Sequence, residues 1–329
     1  MTEQADPETW LIDRGSLIEV SFEFQQADAE GEASASAEVP QMRTIGEQSS
    51  SNENKAREAE VSEALTVAQA FAAVVQECIR HFRHNQVLLI AERDPDALHQ
   101  ARVAMRRLRT AFALFRPAIR RESLEPWKAE LRQLLEPFGI ARNLDVYLDR
   151  HGDELGWRDQ HKLKTARSES YDRIAESLKA PRIREFMSGL VEWAVSSEWH
   201  RRAADKPIGK FSARQLDRAW KKVREGASHL AGLEEKQLHR LRIDIKELRY
   251  SVEFLASLYH RKKARKFAAS LEAMQECLGS IHDDIVSRQI VADYGLSHAG
   301  QGDAANRGRL VKQLHSRFKR LKKAGPYWR

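Results

Sequence analysis

The sequence predicts an all-α protein built from two similar halves, each a bundle of about four helices. Apolar residues recur with a helical period from residue 61 to near the C-terminus. Only 16 glycines and 9 prolines occur among 329 residues, too few for the many turns of a β-sandwich or barrel. A segment of the first half also returns in the second half at a fixed spacing, which indicates a duplicated unit.

The first 60 residues differ from the rest of the chain in charge. They contain 14 acidic and 4 basic side chains, a net charge of −10, whereas the remainder contains 51 basic and 34 acidic side chains, a net charge of +17. In residues 10–24 apolar and polar side chains alternate, which is typical of a short β segment. The stretches of Ser, Glu, Ala and Gln that follow cannot bury enough apolar surface to become ordered. We therefore interpret 1–60 as an acidic, largely disordered leader and 61–329 as one helical domain, with halves at about 61–200 and 208–325.

The helices are predicted in order from their apolar period and their end signals. The first spans about 65–91, and Asp94-Pro95 supplies an N-cap and a first-turn proline for the second, 95–115. The third spans about 123–149 with a kink at Glu136-Pro137. The others are predicted at about 156–178, 181–197, 211–229, 234–259, 262–294 and 303–323, with a break at 203–210.

Composition excludes several classes of protein. Cys78 and Cys277 both lie in helical patterns and form no CxxC pair, so we expect buried thiols rather than a zinc site or a disulfide framework. The acidic start lacks the apolar core of a signal peptide, and no run of about 18 apolar residues occurs. We expect a cytoplasmic protein with no membrane insertion, no metal site and no cofactor.

The internal repeat aligns LHQARVAMRRLRTAFALF (98–115) with LHRLRIDIKELRYSVEFL (238–255) at an offset of 140 residues. The same offset places Gly139 on Gly279 and IARNLD (140–145) on SIHDDI (280–285). One offset that serves two separate segments is hard to obtain by chance. The second half is therefore interpreted as a duplicate of the first.

Each copy carries a row of basic side chains on one helix face. At 100° per residue, Arg102, Arg106 and Arg109 lie within about 80° of His99, beside an apolar stripe that faces the core. We call this row the first ladder, and its counterpart in the repeat, His239, Arg242, Lys246 and Arg249, the second ladder. Each ladder extends about 15 Å along its helix.

Like charges three and four residues apart repel, so each ladder lowers the stability of its helix. One interpretation is a solvated face with acidic partners on neighbouring helices. The other is an anion site, in which Arg forks bind phosphate oxygens, Lys acts as a point charge and a protonated His adds a donor. The occurrence of two ladders at matching positions favours the anion site.

Further basic residues extend this pattern. Lys210, Arg214, Arg218 and Lys221 share one helix face, and Lys210 and Arg214 open the helix that precedes the second ladder. Arg142 follows the Gly139 turn, and His282, Asp283 and Asp284 occupy the corresponding second turn. The runs HRKKARK (260–266) and RFKRLKK (317–323) are interpreted as solvated faces.

Four motifs resemble the CHAD family, the conserved histidine α-helical domain. They are HQARVAMRRLR (99–109), FGIARNLDV (138–146), HRLRIDIKELRY (239–250) and LGSIHDD (278–284), in that order, within a match over about 62–325. The resemblance implies two four-helix bundles related by a pseudo-twofold axis, with a basic cavity between them. It also implies binding of inorganic polyphosphate without catalysis. The implied ligand-facing residues are His99, Arg102, Arg106, Arg109, His239, Arg242, Lys246 and Arg249, followed by Arg107, Lys210, Arg214 and Arg142.

The sequence departs from the family in two respects. Arg142 is followed by Asn143, where the family tends to have an Asp that would pair with the arginine. Family members often follow a triphosphate-tunnel (CYTH) domain, and residues 10–24 resemble its last strands. About 60 residues cannot build that barrel and the ExExK-type motif is missing, so we expect no tunnel-enzyme activity.

Three functions are weighed. The first is non-catalytic binding of polyphosphate, with association to polyphosphate granules. The alternative is nucleic-acid binding, which the basic charge permits, although no aromatic residues alternate with the ladder cations for base stacking. An enzyme acting on phosphate esters is not expected, because the sequence has no RHG-type motif and no second His-rich element to pair with HDD (282–284). Protein partners are left open.

Overall fold

The computed structural model describes residues 54–228, 230–297 and 304–329. Over these ranges the chain forms ten α-helices joined by short turns and four single 3₁₀ turns. They are α1 Val67–Glu92, α2 Pro95–Phe115, α3 Arg121–Leu134, α4 Pro137–His151, α5 Trp157–Lys179, α6 Pro181–Val195, α7 Ile208–Gly226, α8 Glu235–Phe254, α9 Arg261–Tyr294 and α10 Ala304–Ala324.

The all-α class predicted from the sequence is confirmed. The only β pairings within the described ranges are two isolated antiparallel bridges, Thr66 with Pro207 and Ile119 with His200. Among the helices of the described residues, none is long and apolar enough to cross a membrane. The β segment predicted at 10–24 lies outside the described residues.

Helix ends follow the local sequence signals. The side chain of Asp94 accepts hydrogen bonds from the backbone N–H groups of Asp96 (2.9 Å) and Ala97 (3.0 Å), and Pro95 is the first residue of α2, as predicted. The single helix predicted over 123–149 is wrong. The structure has two helices there, because Pro137 has no N–H to continue the hydrogen-bond ladder of α3 and instead begins α4.

Helix starts recur at the spacing of the sequence repeat. The first residues of α2 and α8, 95 and 235, differ by 140, and so do those of α3 and α9, 121 and 261. Cys277 stands at the position of Pro137, so α9 continues unbroken for 34 residues where the first half has α3 and α4. The first half thus holds six helices, α1–α6, rather than about four, and the pseudo-twofold axis stays a prediction.

Aromatic side chains form much of the core. Phe71 of α1 contacts Phe112, Phe115, Trp193 and Trp199 at ring-centroid distances of 5.0–6.3 Å and so joins α1, α2 and α6. In the second half, Phe267 of α9 contacts Trp220, Tyr327 and Trp328 at 5.2–5.7 Å and joins α7 to the C-terminus. Cys78 and Cys277 are both free and buried, as predicted.

The predicted leader ends against α1. The backbone oxygen of Asn54 accepts hydrogen bonds from Asn85 Nδ2 (2.9 Å) and lies 3.0 Å from His81 Nε2, and Ala59 is buried. Residues 54–60, assigned to the leader from composition, therefore pack on the helical domain. The rest of the leader lies outside the described residues.

Candidate functional site

The two ladder helices, α2 and α8, pack against each other where the two halves meet. The ladders bring together six basic side chains, which we call the cation cluster: Arg102, Arg106, Arg109 and Arg142 from the first half, and Arg242 and Lys246 from the second. After burial, the charge of Arg106 is the largest influence on the pKa of Arg102, Arg109, Arg242 and Lys246. Arg106 therefore lies at the centre of the cluster and acts on both halves.

The cation cluster has no acidic counterpart. Throughout the described ranges, no carboxylate oxygen lies within 4 Å of a side-chain nitrogen of its six members. Asp283 is the acid that acts on Arg242 and Lys246, and it is engaged by Arg150 at 2.6 Å. Lys246 is only 6% exposed and forms no ion pair with the described carboxylates, so its ammonium group is largely desolvated without a counter-charge at contact distance.

Two buried donors of the cluster lack hydrogen bonds. Arg102 Nη1 and Arg242 Nε are both shielded from solvent, and neither has a hydrogen-bond acceptor among the residues that the structure places. A buried donor that loses its hydrogen bond to water costs about 1–3 kcal/mol. Arg102 and Arg242 therefore each carry an unsatisfied donor, one on each ladder helix.

Burial and mutual repulsion weaken proton binding at these groups. Burial, and then the charge of Arg106, lowers the pKa of Arg102 to about 9 and that of Arg242 to about 10. The same causes hold the pKa of Lys246 well below its ordinary range. Desolvation by the surrounding protein, and then the charge of Arg106, lowers the pKa of Arg109 to about 10, although its side chain keeps contact with solvent. The free protein thus stores unfavourable electrostatic energy at this site.

Histidines border the cluster from both halves. Burial, and then the charges of Arg142, Arg106, Arg102 and Lys246, lowers the pKa of His99 to about 4. His282 of α9 lies with its ring centroid 5.4 Å from that of His239, and burial followed by Arg242 lowers its pKa to about 3. His282 was not among the predicted site residues, although its place in LGSIHDD, at the position of Arg142 in the repeat, was the signal that could have found it. The turns expected at Gly139 and Gly279 are wrong, because both glycines lie inside helices, α4 and α9.

Two predicted site residues have acidic partners. Arg107 is 4% exposed, bonds Glu253 at 2.5 Å and lies over the ring of Phe254 at 4.8 Å, so it joins α2 to α8. Arg249 lies 2.9 Å from Glu253 and 3.0 Å from Glu272, and the two carboxylates raise its pKa against the opposing effect of burial. Arg249 therefore shares the spacing of Arg109 without its unpaired charge.

Lys210 and Arg214 are exposed on the first turns of α7, and the structure gives no contact between either side chain and the cation cluster within the described ranges.

Arg142 does belong to the cluster, because its charge lowers the pKa of both His99 and Arg102. Asp145 does not pair with Arg142, because it is already bonded by Arg167 Nε at 2.6 Å and by the hydroxyl of Tyr171 at 2.8 Å. Within the described ranges, Arg142 forms no ion pair with a carboxylate.

The comparison with protein families decides the classification. The family model described as the CHAD domain matches residues 73–292, which is about two thirds of the chain. The chain belongs to the CHAD family. That family is linked to polyphosphate binding in general.

Similar proteins support the fold. The crystal structure of the CHAD domain from the plant Ricinus communis aligns with a TM-score of 0.64 at 26% identity, over 82% of this chain and 94% of that one. Uncharacterized proteins from two strains of Mycobacterium tuberculosis are 26% identical over 265 residues, which is 70% of this chain. The match covers 48% of their length, so this chain spans about half of the curated relatives it matches.

Proposed function

We propose that this CHAD protein binds inorganic polyphosphate at the cation cluster and does not hydrolyse it. The observation that carries the proposal is the convergence of six basic side chains from both halves with no carboxylate within 4 Å in the described part of the chain. A fold keeps such an arrangement at a cost in stability, and a bound polyanion removes that cost. The family membership supports the same ligand class.

Polyphosphate fits the chemistry of the cluster better than a nucleic acid does. It offers closely spaced anionic oxygens and no bases, and the cluster consists of Arg and Lys side chains that recognise charge and spacing. Base stacking would require exposed aromatic side chains beside the cations. Trp157, 76% exposed, is the large aromatic on the described surface, and it stacks on His161 at the start of α5 rather than beside the ladders.

A non-catalytic role is part of the proposal. Among the described residues no group of three or more His, Cys, Asp and Glu side chains is arranged to hold a metal ion. Among the described residues no carboxylate oxygen lies within 4 Å of a ring nitrogen of His99 or His282 to orient it as a general base, and the cations around both rings disfavour protonation. We further propose that the protein is cytoplasmic and associates with polyphosphate granules.

The test compares ligands of equal charge. We expect long-chain polyphosphate to bind more tightly than single-stranded RNA or duplex DNA at equal salt, with affinity that falls steeply as salt rises. Arg106→Glu places an acid at the centre of the cluster and should weaken polyphosphate binding at least about a hundredfold, while the helical CD signal stays unchanged. Equal affinity for all three polyanions, or phosphate released by the purified protein, would contradict the proposal.

A further inference from the structure

A second basic surface lies between α7 and α10, away from the cation cluster. The end of α7 and the last turns of α10 form the walls of a groove of about 630 Å³. Lys221 and Arg224 line one wall, and Lys319 and Lys322 line the other. The buried side chains of Ala227 and Phe318 form its floor, and Lys322 Nζ lies 5.4 Å from the centre of the Phe318 ring.

The charges of this groove are poorly compensated. Glu225 is the acid in its lining, and it lies 3.7 Å from Lys221 with both side chains at least two thirds exposed. An exposed pair of this kind contributes little and is screened by salt. Lys319 and Lys322, part of a run interpreted from sequence as a solvated face, thus face two cations of another helix across a groove.

A basic helix face leads to the groove. Lys210, Arg214, Arg218, Lys221 and Arg224 fall within about 120° around α7 and extend about 21 Å along it. Asp217 lies on the same face, and its carboxylate is already engaged by Arg329 at 2.9 Å and by Trp328 Nε1 at 2.9 Å.

The start of this face lies beside the ladder helix. Phe211 at the start of α7 stacks on Phe115 at the end of α2, with ring centroids 5.8 Å apart and an interplanar angle of 19°. Arg109, the last cation of the first ladder, stands six residues before Phe115, about 9 Å along the helix. The start of α7 therefore packs beside the end of the helix that carries the first ladder.

We propose that the α7–α10 groove is a second anion-binding surface, which holds the part of a long polyphosphate chain that extends beyond the cation cluster along α7. This inference rests on the proposed function, since it takes the same ligand class. A short polyphosphate fills the cluster alone, whereas a long chain adds contacts in the groove that raise its local concentration at the cluster. The groove therefore gives the protein a preference for long chains.

The test measures binding of long-chain polyphosphate and of tripolyphosphate to the full chain. The double variant Lys319→Glu with Lys322→Glu reverses two charges in the groove. It should weaken long-chain binding about tenfold and leave tripolyphosphate binding unchanged. The matched control is Lys164→Glu with Lys179→Glu on α5, two exposed lysines without side-chain partners among the described residues, one of them also in a last helical turn.

The outcomes separate this inference from the proposed function. Wild-type protein that binds neither polyphosphate refutes the proposed function. Wild-type protein that binds both, with a groove variant that behaves like the control, refutes the groove alone. A groove variant that loses RNA binding and keeps its affinity for long polyphosphate overturns the ligand class of the groove. CD spectra of the variants check folding, and Lys319→Gln with Lys322→Gln repeats the test without new acidic groups.

Discussion

The two ladders have the same spacing and different surroundings. In the first ladder, Arg102, Arg106 and Arg109 have no carboxylate within 4 Å among the described residues. In the second, Lys246 is buried without an ion pair, whereas Arg249 is held by Glu253 and Glu272. The repeat thus reproduces the positions of the cations, and the neighbouring helices decide which of them keep an unpaired charge.

The difference lies in the partners that each helix meets. Glu253 follows Arg249 by four residues, and its carboxylate accepts hydrogen bonds from both Arg249 and Arg107. One carboxylate therefore neutralises an arginine of each half. In the first half, Ala113 stands at the position of Glu253, and Arg132 stands at the position of Glu272. Arg109 thus meets a further cation where Arg249 meets a carboxylate, and Arg132 adds to the effects of desolvation and of Arg106 that lower the pKa of Arg109. Two differences between the copies therefore separate an arginine held by carboxylates, Arg249, from one without an ion pair in the described residues, Arg109.

Among the variants that test this difference between the ladders, we expect the largest change in polyphosphate affinity at Lys246. Lys246→Met removes a buried, unpaired ammonium group and keeps a similar side-chain length, so the free energy of unfolding should rise by about 1–2 kcal/mol. Polyphosphate affinity should fall about tenfold, because a cation of the cluster is lost. Denaturant unfolding and titration with polyphosphate measure the two effects.

A control for Lys246→Met is the same kind of change at a paired cation. Arg107→Met removes a buried arginine that bonds Glu253 and should lower the free energy of unfolding by about 3 kcal/mol. If Lys246→Met also destabilises the protein, the cluster is not the strained site inferred from its geometry.

Arg109 and Arg249 give the next largest effect and the most direct comparison. Arg109→Gln should weaken polyphosphate binding about fivefold and leave stability unchanged, because the Arg109 side chain is exposed to solvent and has no ion pair to lose. Arg249→Gln should lower the free energy of unfolding by about 1 kcal/mol, because it breaks the contacts with Glu253 and Glu272, and should change affinity little. Equal losses of affinity in the two variants would show that the ladders act as equivalents.

Sequence reasoning found most of the helices and most of the cluster. The apolar period and the Asp94-Pro95 signal placed α2 at its observed bounds, because helix ends depend on local contacts. The ladder residues Arg102, Arg106, Arg242 and Lys246 followed from helix geometry and the repeat. These features depend on spacing along one helix, which a sequence displays directly.

Other features depended on contacts between distant segments. The pairing of Arg107 with Glu253 spans 146 residues, and helix-face geometry alone could not show that Arg107 points to a carboxylate of α8. The groove between α7 and α10 brings Lys319 toward Lys221 across 98 residues, so the run that contains Lys319 resembled a solvated face when considered alone. Pairing partners of surface charges are the least predictable part of a helical fold, since no periodicity specifies them.

The smallest expected effect is the pH dependence of binding, which involves histidines of both halves. The pKa of His99 is lowered to about 4 and that of His282 to about 3, below the ordinary histidine value of about 6.5. Around His99 stand the charges of Arg142, Arg106, Arg102 and Lys246, and around His282 those of Arg242, His239, Lys246 and Arg106. The unfolded chain therefore binds more protons between pH 6.5 and pH 4, and the free protein loses stability as the pH falls through this window.

Bound polyphosphate is expected to favour protonation of the two histidines, which the free protein disfavours. Its negative charge offsets the surrounding cations and raises the pKa of both histidines, so binding takes up protons and affinity rises as the pH falls below about 6.5. We expect binding about threefold tighter at pH 5.5 than at pH 7.5, and a larger thermal shift by polyphosphate at the lower pH. Calorimetry in two buffers of different ionisation enthalpy measures the proton uptake directly. His99→Asn combined with His282→Asn should flatten both trends, and an affinity that stays constant with pH in the wild-type protein would mean that the histidines pack beside the ligand without responding to it.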